Sequence, residues 1–560
     1  MNNSPWLQYY PAGVPATIDI NQYSSIVALL EESFRLYKER PAYVCMDKAI
    51  TYGDIDILST ALGAWLQSRG LQRNDRVAVM LPNVLQYPVA VAAILRAGFI
   101  VVNVNPLYTP RELEHQLRDA DVQAIIILEN FASTLEETLQ HVPVRHILLA
   151  SMGDMLGTIK GRIVNYVVRK RKKMVPAYAL PGAVRFNDAI RLGRTLALQR
   201  PDIKVSDVAV LQYTGGTTGV SKGATLLHGC ILANLLSTQA WMQHGLDRKP
   251  IDGQLTLICA LPLYHVFAFV TCGLLGMRTG GLVVLIPNPR DIPATVKTLS
   301  KYPLQFFPAV NTLFNALADN AEFARLDFSQ LSMSVGGGTS VHESVAQKWL
   351  KITGCPIAEG YGLSETASAV ICNPATLAKH SGTIGMPMPG VEVRLLDDDG
   401  ADAAAGEPGE IALRGPQVMQ GYWQRPQETA DAMTPDGYFK TGDVGVMDQR
   451  GFFRIVDRKK DMILVSGFNV YPNEIEEVVG AHPDVLECAV IGLPDQHSGE
   501  AVKLFVVKRN PALSAEALKE YCSHQLTGYK RPKQIEFIAE LPKTNVGKIL
   551  RRQLRDQKSA

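Results

Sequence analysis

Residues 213–223 concentrate glycines, hydroxyl side chains and a lysine in one short segment, which reads Tyr-Thr-Gly-Gly-Thr-Thr-Gly-Val-Ser-Lys-Gly. Glycines let backbone N–H groups turn towards an anion, hydroxyls add hydrogen-bond donors, and the lysine supplies positive charge. The contributing residues are Thr214, Gly215, Gly216, Thr217, Thr218, Gly219, Ser221, Lys222 and Gly223. A plain surface turn needs far fewer such residues, so the segment predicts a phosphate-binding loop.

Two other classes of loop compete for the same residues. A Walker P-loop would need glycine directly before Lys222, where this chain has Ser221, so a nucleoside-triphosphatase of that type is excluded. The pattern G-x-S-x-G of a hydrolase nucleophile elbow is met by Gly219, Ser221 and Gly223. The elbow pattern does not explain the glycines and threonines at residues 214–218, but a hydrolase remains the alternative.

Residues 360–365, Gly-Tyr-Gly-Leu-Ser-Glu, bring an aromatic ring, a hydroxyl and a carboxylate close together. Tyr361 has the face on which a nucleobase stacks, and Glu365 has the oxygen ligands that a magnesium ion prefers. Alone the pattern is weak, because Tyr361 could equally be a core residue and Glu365 an ordinary first-turn residue of a helix.

Three further segments offer groups for a nucleotide or a long ligand. Asp443, on the expected turn Thr441-Gly442-Asp443, could accept hydrogen bonds from both ribose hydroxyls, with Arg458 in reach of the same sugar. Gly467 offers a close-approach position for a thin ligand, although residues 466–469 favour a plain hairpin. Lys548 stands on a glycine turn, where a lysine is usually a solvated charge; carried by a lid over the phosphate loop, it would instead neutralise a reacting phosphate.

The elements that must hold these groups alternate between apolar strands and helical patterns. Strands are expected at residues 77–80, 100–104, 124–128 and 208–212, and helices at residues 87–96, 110–120 and 228–239. This alternation predicts parallel α/β layers.

From Val391 onward the sequence changes to short strands separated by turns, which indicates a small β-rich unit; turns fall at residues 399–400, 407–409 and 436–437. A charged joint at residues 457–461 follows, and we place a domain boundary there. The last block predicts strands near residues 462–465, 486–492 and 502–507, and helices near residues 472–479 and 515–525.

Composition narrows the class of protein. The chain has 560 residues, 47% of them hydrophobic, and 56 basic against 54 acidic side chains, which argues against a nucleic-acid-binding protein. Its eight cysteines form no C-x-x-C pair, so reduced thiols in the cytoplasm are expected rather than a zinc site or disulfides. The first residues show no export signal.

Two segments raise the question of membranes. Residues 255–277 are long and apolar, but Pro262 and Gly273 divide them, so a buried strand, a loop with His265 and a buried helix are expected. Residues 155–175 combine apolar positions with the basic cluster 169–173. They fit equally a helix on an anionic membrane face, which would give a non-enzymatic lipid-binding protein a means of contact, and a solvated surface helix.

Taken in order, these segments resemble the adenylate-forming superfamily and, within it, the acyl-CoA synthetases, over nearly the whole chain. Residues 436–460 resemble the fatty-acyl-CoA synthetase signature, and residues 86–88 and 105–110 resemble those of bacterial long-chain fatty-acid CoA ligases.

The resemblance implies an α/β fold. It consists of a large N-terminal domain of two α/β layers plus a β-barrel subdomain (residues 1–457), a hinge (458–464) and a small mobile α+β lid (465–560). It also implies that ATP converts a fatty acid to an acyl-adenylate, with release of pyrophosphate, and that CoA then gives the fatty acyl-CoA and AMP.

The resemblance gives each motif a role in that reaction. The implied catalytic residues are Lys548, Glu365, which also binds Mg²⁺, and His265, which borders the fatty-acyl carboxylate. Tyr361 packs against adenine, Asp443 and Arg458 hold ribose, and Lys460 is the hinge. The other implied binding residues are Thr214, Gly215, Gly216, Thr217, Thr218, Gly219 and Lys222 at the phosphates, and Gly337, Gly338, Glu359, Gly360, Gly362, Ser364 and Gly467.

The expected partners are a fatty acid, ATP and CoA, with no nucleic acid; a homodimer and peripheral contact with the cytoplasmic face of a membrane are left open. Four pairs near the implied acyl tunnel depart from the long-chain pattern, at residues 307–308, 339–340, 357–358 and 367–368. Medium-chain and aryl acids therefore remain alternatives to a long-chain acid.

Overall fold

The protein is described by a computed structural model that covers residues 4–214, 221–249, 251, 253–466, 468–495, 497–544 and 547–556. The strands, in chain order, are β1 Pro41–Cys45, β2 Lys48–Thr51, β3 Arg76–Met80, β4 Ile100–Asn103, β5 Val122–Leu128, β6 His146–Ala150, β7 Val184–Arg185, β8 Val208–Thr214, β9 Lys222–Leu227, β10 Thr256–Cys259, β11 Leu282–Leu285, β12 Phe306–Ala309, β13 Met333–Gly336, β14 Ile357–Leu363, β15 Ser368–Cys372, β16 Met386–Pro387, β17 Glu392–Leu396, β18 Gly409–Arg414, β19 Gly421–Tyr422, β20 Phe439–Met447, β21 Phe453–Arg458, β22 Ile463–Val465, β23 Phe468–Val470, β24 Val485–Asp495, β25 Gly499–Lys508 and β26 Gln534–Phe537.

The α-helices are α1 Ile26–Leu36, α2 Tyr52–Ser68, α3 Gln86–Arg96, α4 Pro110–Asp119, α5 Ala132–Thr138, α6 Thr158–Tyr166, α7 Phe186–Gly193, α8 His228–Leu246, α9 Val266–Ala268, α10 Leu275–Thr279, α11 Ile292–Leu299, α12 Asn311–Ala318, α13 Glu343–Thr353, α14 Pro426–Asp431, α15 Pro472–Gly480, α16 Ala515–Gln525 and α17 Arg551–Asp556. The π-helical turns Val167–Arg171 and Phe269–Leu274 continue α6 and α9.

The first sheet has the strand order β19-β9-β8-β4-β3-β5-β6-β7 and is parallel from β8 to β7. Alternate residues of β3 enter two different cores: Val77 and Val79 face one, Ala78 and Met80 the other. Both faces of the sheet are thus covered, which is why its strands are continuous apolar runs without polar alternation.

The second sheet has the order β16-β15-β14-β13-β12-β10-β11-β1-β2 and is parallel from β14 to β1. Leu257 and Phe306 from this sheet belong to the same hydrophobic core as Val77 from the first. Helices α3 and α8 contribute to that core as well, so the two α/β layers share one buried interior.

The β-rich unit is a four-stranded antiparallel sheet in the order β17-β18-β20-β21. An isolated bridge joins Gly385 to Phe453, which connects this sheet to the antiparallel end of the second sheet. Side chains from both enclose one core, including Ile371, Ile411 and Phe453.

Beyond β21 the chain forms a separate sheet, β23-β22-β25-β24, with β26 added to β25. Helices α15 and α16 cover it and complete a core of its own around Ile475, Leu504 and Leu518. The strands and helices predicted for the last block are therefore confirmed.

One strand was missed and one local expectation was wrong. Residues 222–227, where no strand was expected, form β9, which pairs antiparallel with β8, and α8 begins at His228 as expected. Asp443 lies within β20 rather than on a turn. The expected strand, loop and helix of residues 255–277 are confirmed, and none of the described helices is long and apolar enough to span a bilayer.

Candidate active site

The candidate site lies where strands of both α/β layers end. Thr214 closes β8 of the first sheet, while Gly336 closes β13 of the second sheet and pairs with Glu359 on β14. The carboxyl ends of parallel strands are the usual position of a ligand in open α/β sheets.

The paired strands β8 and β9 form the first edge of the site. Thr214 pairs with Lys222 across the β8–β9 ladder, and the Ser221 hydroxyl donates a 2.6 Å hydrogen bond to the Thr214 carbonyl. Gly215, Gly216, Thr217, Thr218 and Gly219 lie outside the described residues. Because a strand follows the loop, any anion there would depend on loop donors and Lys222 rather than on a helix terminus.

Glu365 is the buried carboxylate beside these two strands, with 8% of its surface exposed. The Tyr422 hydroxyl donates to its Oε1 across 2.9 Å, and the Lys222 Nζ lies 4.9 Å from the centre of the Tyr422 ring. Burial raises the pKa of Glu365, against smaller opposing effects of the Tyr422 hydrogen bond and the Arg458 charge. A carboxylate in this setting gains from a nearby cation.

Tyr361, Asp443 and Arg458 form one hydrogen-bonded row. The Tyr361 hydroxyl donates to Asp443 Oδ2 at 2.6 Å, and Arg458 Nε donates to Asp443 Oδ1 at 2.9 Å. Asp443 and Arg458 are direct partners in the β20–β21 ladder, so the two strands fix their separation. The row brings together the residues expected at adenine and at ribose.

Lys548 comes from the C-terminal unit and lies at the interface between the two units. It follows Gly547, at which an added Cβ would come within 3.1 Å of the Thr312 hydroxyl of the large unit. The pKa of Lys548 is lowered to about 8, chiefly by burial and then by the charges of Arg458 and Lys460, against the opposing charge of Asp443. Lys548 therefore shares an electrostatic environment with the Asp443 row.

His265 is near enough to Lys548 to be affected by its charge, and it is the N-cap residue of helix α9. The pKa of His265 is lowered to about 4, chiefly by burial and to a smaller extent by the positive charge of Lys548. His265 is thus a neutral imidazole at physiological pH, and its Nδ1 is 3.4 Å from the Phe267 N–H that it caps.

The glycine-rich ends of β13 and β14 pack tightly around Glu359. A Cβ added at Gly337 would come within 2.9 Å of the Phe267 ring, so the backbone needs glycine there; Gly338 has a positive φ of 78°. Glu359 accepts the Val341 N–H at 3.0 Å, yet burial raises its pKa to about 7.

Gly360 and Gly362 lie on β14, and Ser364 opens the short turn that holds Glu365. A Cβ at Gly362 would overlap the backbone carbonyl of Ser368 on β15, which is a structural reason for glycine at this position. At Gly360 the nearest atom would be 3.6 Å away, an ordinary contact.

The joint between the units is the turn after β21. Lys460 is exposed there, while the side chain of Asp461 is only 3% exposed and pairs with Arg551 and Arg555. Gly467 lies outside the described residues; the strands before and after it, β22 and β23, pair antiparallel.

The geometry at Ser221 does not match a nucleophile elbow. An elbow places serine between a strand and a helix, but Lys222 begins a second strand, and the Ser221 hydroxyl is already bonded to a carbonyl. The nearby His115 reaches the Ser221 backbone carbonyl at 2.8 Å rather than its hydroxyl.

Sequence reasoning missed Tyr422 and Asp457. Tyr422 enters the site because β19 pairs with β9, so Tyr422 lies opposite Ala224. Asp457 is fully buried at the end of β21 and accepts the Asn473 N–H of the C-terminal unit at 2.8 Å. Neither belongs to a local pattern; only the charged joint at residues 457–461 hinted at Asp457.

Comparison with known proteins agrees with this geometry. Residues 30–423 match the family described as AMP-binding enzyme, and residues 474–548 match the AMP-binding enzyme C-terminal domain. Long-chain-fatty-acid–CoA ligases from Salmonella typhimurium and Haemophilus influenzae are 54% and 49% identical to the chain, over 99% of this chain and 98% of their own lengths. Among solved structures, the anthranilate CoA ligase AuaEII in complex with anthranoyl-AMP has a TM-score of 0.83 at 26% identity, over 96% of this chain and 98% of that one.

Proposed function

The chain belongs to the AMP-binding enzyme family, and on that premise we propose that it activates a long-chain fatty acid with ATP and transfers the acyl group to CoA. In the first step a carboxylate oxygen of the acid attacks the α-phosphorus of ATP, and the bond to pyrophosphate breaks. In the second step the CoA sulfur attacks the acyl carbon, AMP leaves, and the thiol proton passes to solvent. The close relatives support the substrate class, because they share the whole length of the chain.

One observation carries the proposal: Lys548 reaches from the C-terminal unit into the environment of Asp443, Arg458 and His265. The barrier to joining two anions is largely charge repulsion, which a positioned ammonium group reduces in the transition state. Since the C-terminal unit presents Lys548 to this site, the arrangement is suited to adenylate formation.

The nucleotide would lie along the row of hydrogen-bonded residues. We assign adenine to the face of Tyr361, ribose to Asp443 and Arg458, and the phosphates to Thr214, Lys222 and the loop between them. Ribose hydroxyls would donate to Asp443, whose oxygens are held in place by Tyr361 and Arg458.

We assign a magnesium ion to Glu365, and the residues present fit that ion. Within the described residues no group of three or more His, Cys, Asp or Glu side chains could hold a metal, so the protein would contribute no more than two such ligands, Glu365 among them. Mg²⁺ typically takes one or two carboxylates together with substrate phosphates and water. The burial of Glu365 favours such a cation, which would neutralise phosphate charge.

For the second step we infer that the C-terminal unit rotates about Lys460. We place the domains at residues 1–457 and 465–560, with a hinge at 458–464. Rotation would withdraw Lys548 and admit CoA past Gly467, which allows one site to run both half-reactions.

The acyl group is assigned to the region bordered by His265, Gly337, Gly338 and Glu359. His265 is neutral, so it would meet the carboxylate as a hydrogen-bonding group rather than as a charge. Because Gly337 packs tightly against the Phe267 ring, we infer that these two residues form one wall of the acyl pocket.

The experiment that tests the function measures pyrophosphate release for fatty acids of graded chain length, with and without CoA. We expect release that depends on both ATP and a fatty acid, with thioester formed only when CoA is present. Cleavage of a preformed ester or thioester without ATP, abolished by Ser221→Ala, would support the hydrolase instead. Lipid binding without pyrophosphate release would support a binding protein.

We also propose that α6 contacts an anionic membrane surface. Ile159, Ile163 and Tyr166 are 76%, 58% and 58% exposed, and their spacing puts them on one face of the helix. The exposed basic residues 170–173 follow directly. Apolar side chains beside clustered positive charge are suited to acyl chains and acidic headgroups.

A further inference from the structure

Asp457 joins the two units by a hydrogen bond across the joint. It belongs to β21 of the β-rich sheet, and its side chain is buried. Oδ1 accepts the N–H of the adjacent Arg458 at 2.7 Å, and Oδ2 accepts the N–H of Asn473, in the first turn of α15, at 2.8 Å. One carboxylate thus bridges the large unit and the C-terminal unit.

The bond supplies what α15 lacks in its own sequence. The first N–H groups of a helix have no partner within the helix and are usually capped by a side chain just before it. In α15 the preceding residue, Tyr471, makes no such bond. Asp457 therefore acts as the cap of α15 from the other unit, and its negative charge suits the positive end of the helix.

The contact extends towards the loop that carries Lys548. Asn473 Nδ2 donates to the Val456 carbonyl at 3.3 Å, and Asn473 Oδ1 accepts a 3.0 Å bond from Arg551. Arg551 begins α17 directly after the Lys548 loop and also holds Glu476 at 2.8 Å. Burial raises the pKa of Asp457 to about 6 and the Arg551 charge opposes that rise, so the carboxylate is ionised at neutral pH.

We propose that Asp457 is a positioning residue that selects the arrangement in which Lys548 faces the nucleotide site. The inference rests on the proposed two-step function, in which the C-terminal unit rotates about Lys460. A hydrogen bond depends on direction as well as distance, so rotation about the neighbouring hinge separates the Asn473 N–H from the Asp457 carboxylate. The bond is made in the adenylate-forming arrangement and lost in the thioester-forming one.

The variant Asp457→Ala removes both acceptors and should shift the population away from the adenylate-forming arrangement. We expect its rate of acyl-adenylate formation, measured as pyrophosphate release without CoA, to fall about tenfold, which corresponds to ~1.4 kcal/mol. The rate at which it converts supplied acyl-adenylate and CoA to thioester should stay at the wild-type value or rise. Asp457→Asn keeps one acceptor and should give an intermediate loss.

Ser514→Ala is the matched control, because it removes a helix cap that lies entirely within the C-terminal unit. Ser514 Oγ accepts the Ala517 N–H at the start of α16 across 3.1 Å. If Ser514→Ala only loosens the C-terminal unit, it should slow adenylate formation and thioester formation by the same factor. A selective loss of adenylate formation in the Asp457 variants, and equal changes in the control, would support the proposal.

Equal loss of both half-reactions in the Asp457 variants, or no loss in either, would overturn it. Circular dichroism shows whether Asp457→Ala folds. If it does not, the same comparison of half-reactions made with Asp457→Asn tests the proposal. Failure of the proposed function looks different: the wild-type protein would then release no pyrophosphate with any fatty acid, whatever the residue at position 457.

Discussion

Tyr422 holds Glu365 through a 2.9 Å hydrogen bond from its hydroxyl to Oε1, although the two residues lie on β19 and on the turn after β14. The same tyrosine ring lies beneath the Lys222 ammonium group. One aromatic side chain therefore spaces the positive charge proposed for the phosphates from the carboxylate proposed for magnesium.

Replacing Tyr422 by phenylalanine should weaken the use of magnesium. The hydroxyl stabilises the ionised form of the buried Glu365, and a hydrogen bond to a charged group is worth about 1.5–3 kcal/mol. We expect the Mg²⁺ concentration for half-maximal pyrophosphate release to rise about tenfold. Tyr438→Phe is the control, since it removes a similar 2.9 Å bond to Glu392 away from the site. Equal effects of the two substitutions would contradict the assignment.

Removing the ammonium group of Lys548 should separate the two half-reactions. In Lys548→Ala the cation proposed to offset charge repulsion is absent, so acyl-adenylate formation should fall by at least about a hundredfold. Conversion of supplied acyl-adenylate to thioester should continue. Lys543→Ala, in the same loop but paired with Glu487 inside the C-terminal unit, should leave both steps near wild type. Equal loss of both steps in Lys548→Ala would refute the lid assignment.

The acid–base state of Lys548 sets an upper pH limit for the first step. Its pKa is lowered to about 8 by burial and by the neighbouring charges of Arg458 and Lys460. The protonated form is the active one, so kcat/KM for adenylate formation should fall about tenfold per pH unit above pH 8, as Lys548 loses its proton. Lys548→Arg stays charged throughout that range, so whatever activity it keeps should not fall above pH 8. An unchanged fall above pH 8 in the arginine variant would assign the titration to another group.

The α/β layers could be predicted because their strands are buried on both faces and read as apolar runs. Residues 77–80 and 124–128 are of this kind, and both are strands of the first sheet. Strand β9 was missed because Lys-Gly-Ala-Thr-Leu-Leu has neither alternation nor β-branched enrichment. It forms because it pairs with β8 and β19, a property of the tertiary structure that local sequence does not show.

Glycines expected to contact nucleotide also have structural reasons to be glycine, and Gly362 gives a test. A Cβ there overlaps the Ser368 carbonyl, and a backbone atom cannot turn aside, so Gly362→Ala should lower the free energy of unfolding by about 3 kcal/mol. Gly360→Ala, on the same strand, meets nothing closer than 3.6 Å and should unfold near the wild-type urea concentration. Equal midpoints for the two variants would contradict the close contact of β14 with β15.

Of the site itself, the local motifs could be predicted but not the groups that hold them. Asp443 and Arg458 were paired correctly from their spacing, since a hairpin returns the chain past itself. Tyr422 and Asp457 act on partners brought close only by packing of separate units. Their side chains fit ordinary strand positions, so a single sequence gives Tyr422 no distinguishing signal, and Asp457 only its place in the charged joint at residues 457–461.

Contact of α6 with a membrane predicts a charge-dependent and residue-specific affinity for lipid vesicles. Ile163→Ser should weaken sedimentation with vesicles rich in phosphatidylglycerol about tenfold, because an apolar side chain that leaves water contributes roughly 1.5–3 kcal/mol. Ile57→Ser is the control: Ile57 is 55% exposed, close to the 58% of Ile163, but lies on α2 without a neighbouring basic cluster.

Replacing Lys172 and Lys173 by glutamine should weaken binding further and reduce its sensitivity to salt, since acidic headgroups attract the cluster electrostatically. Equal binding of all these variants to phosphatidylglycerol and to neutral phosphatidylcholine vesicles would leave α6 an ordinary solvated helix.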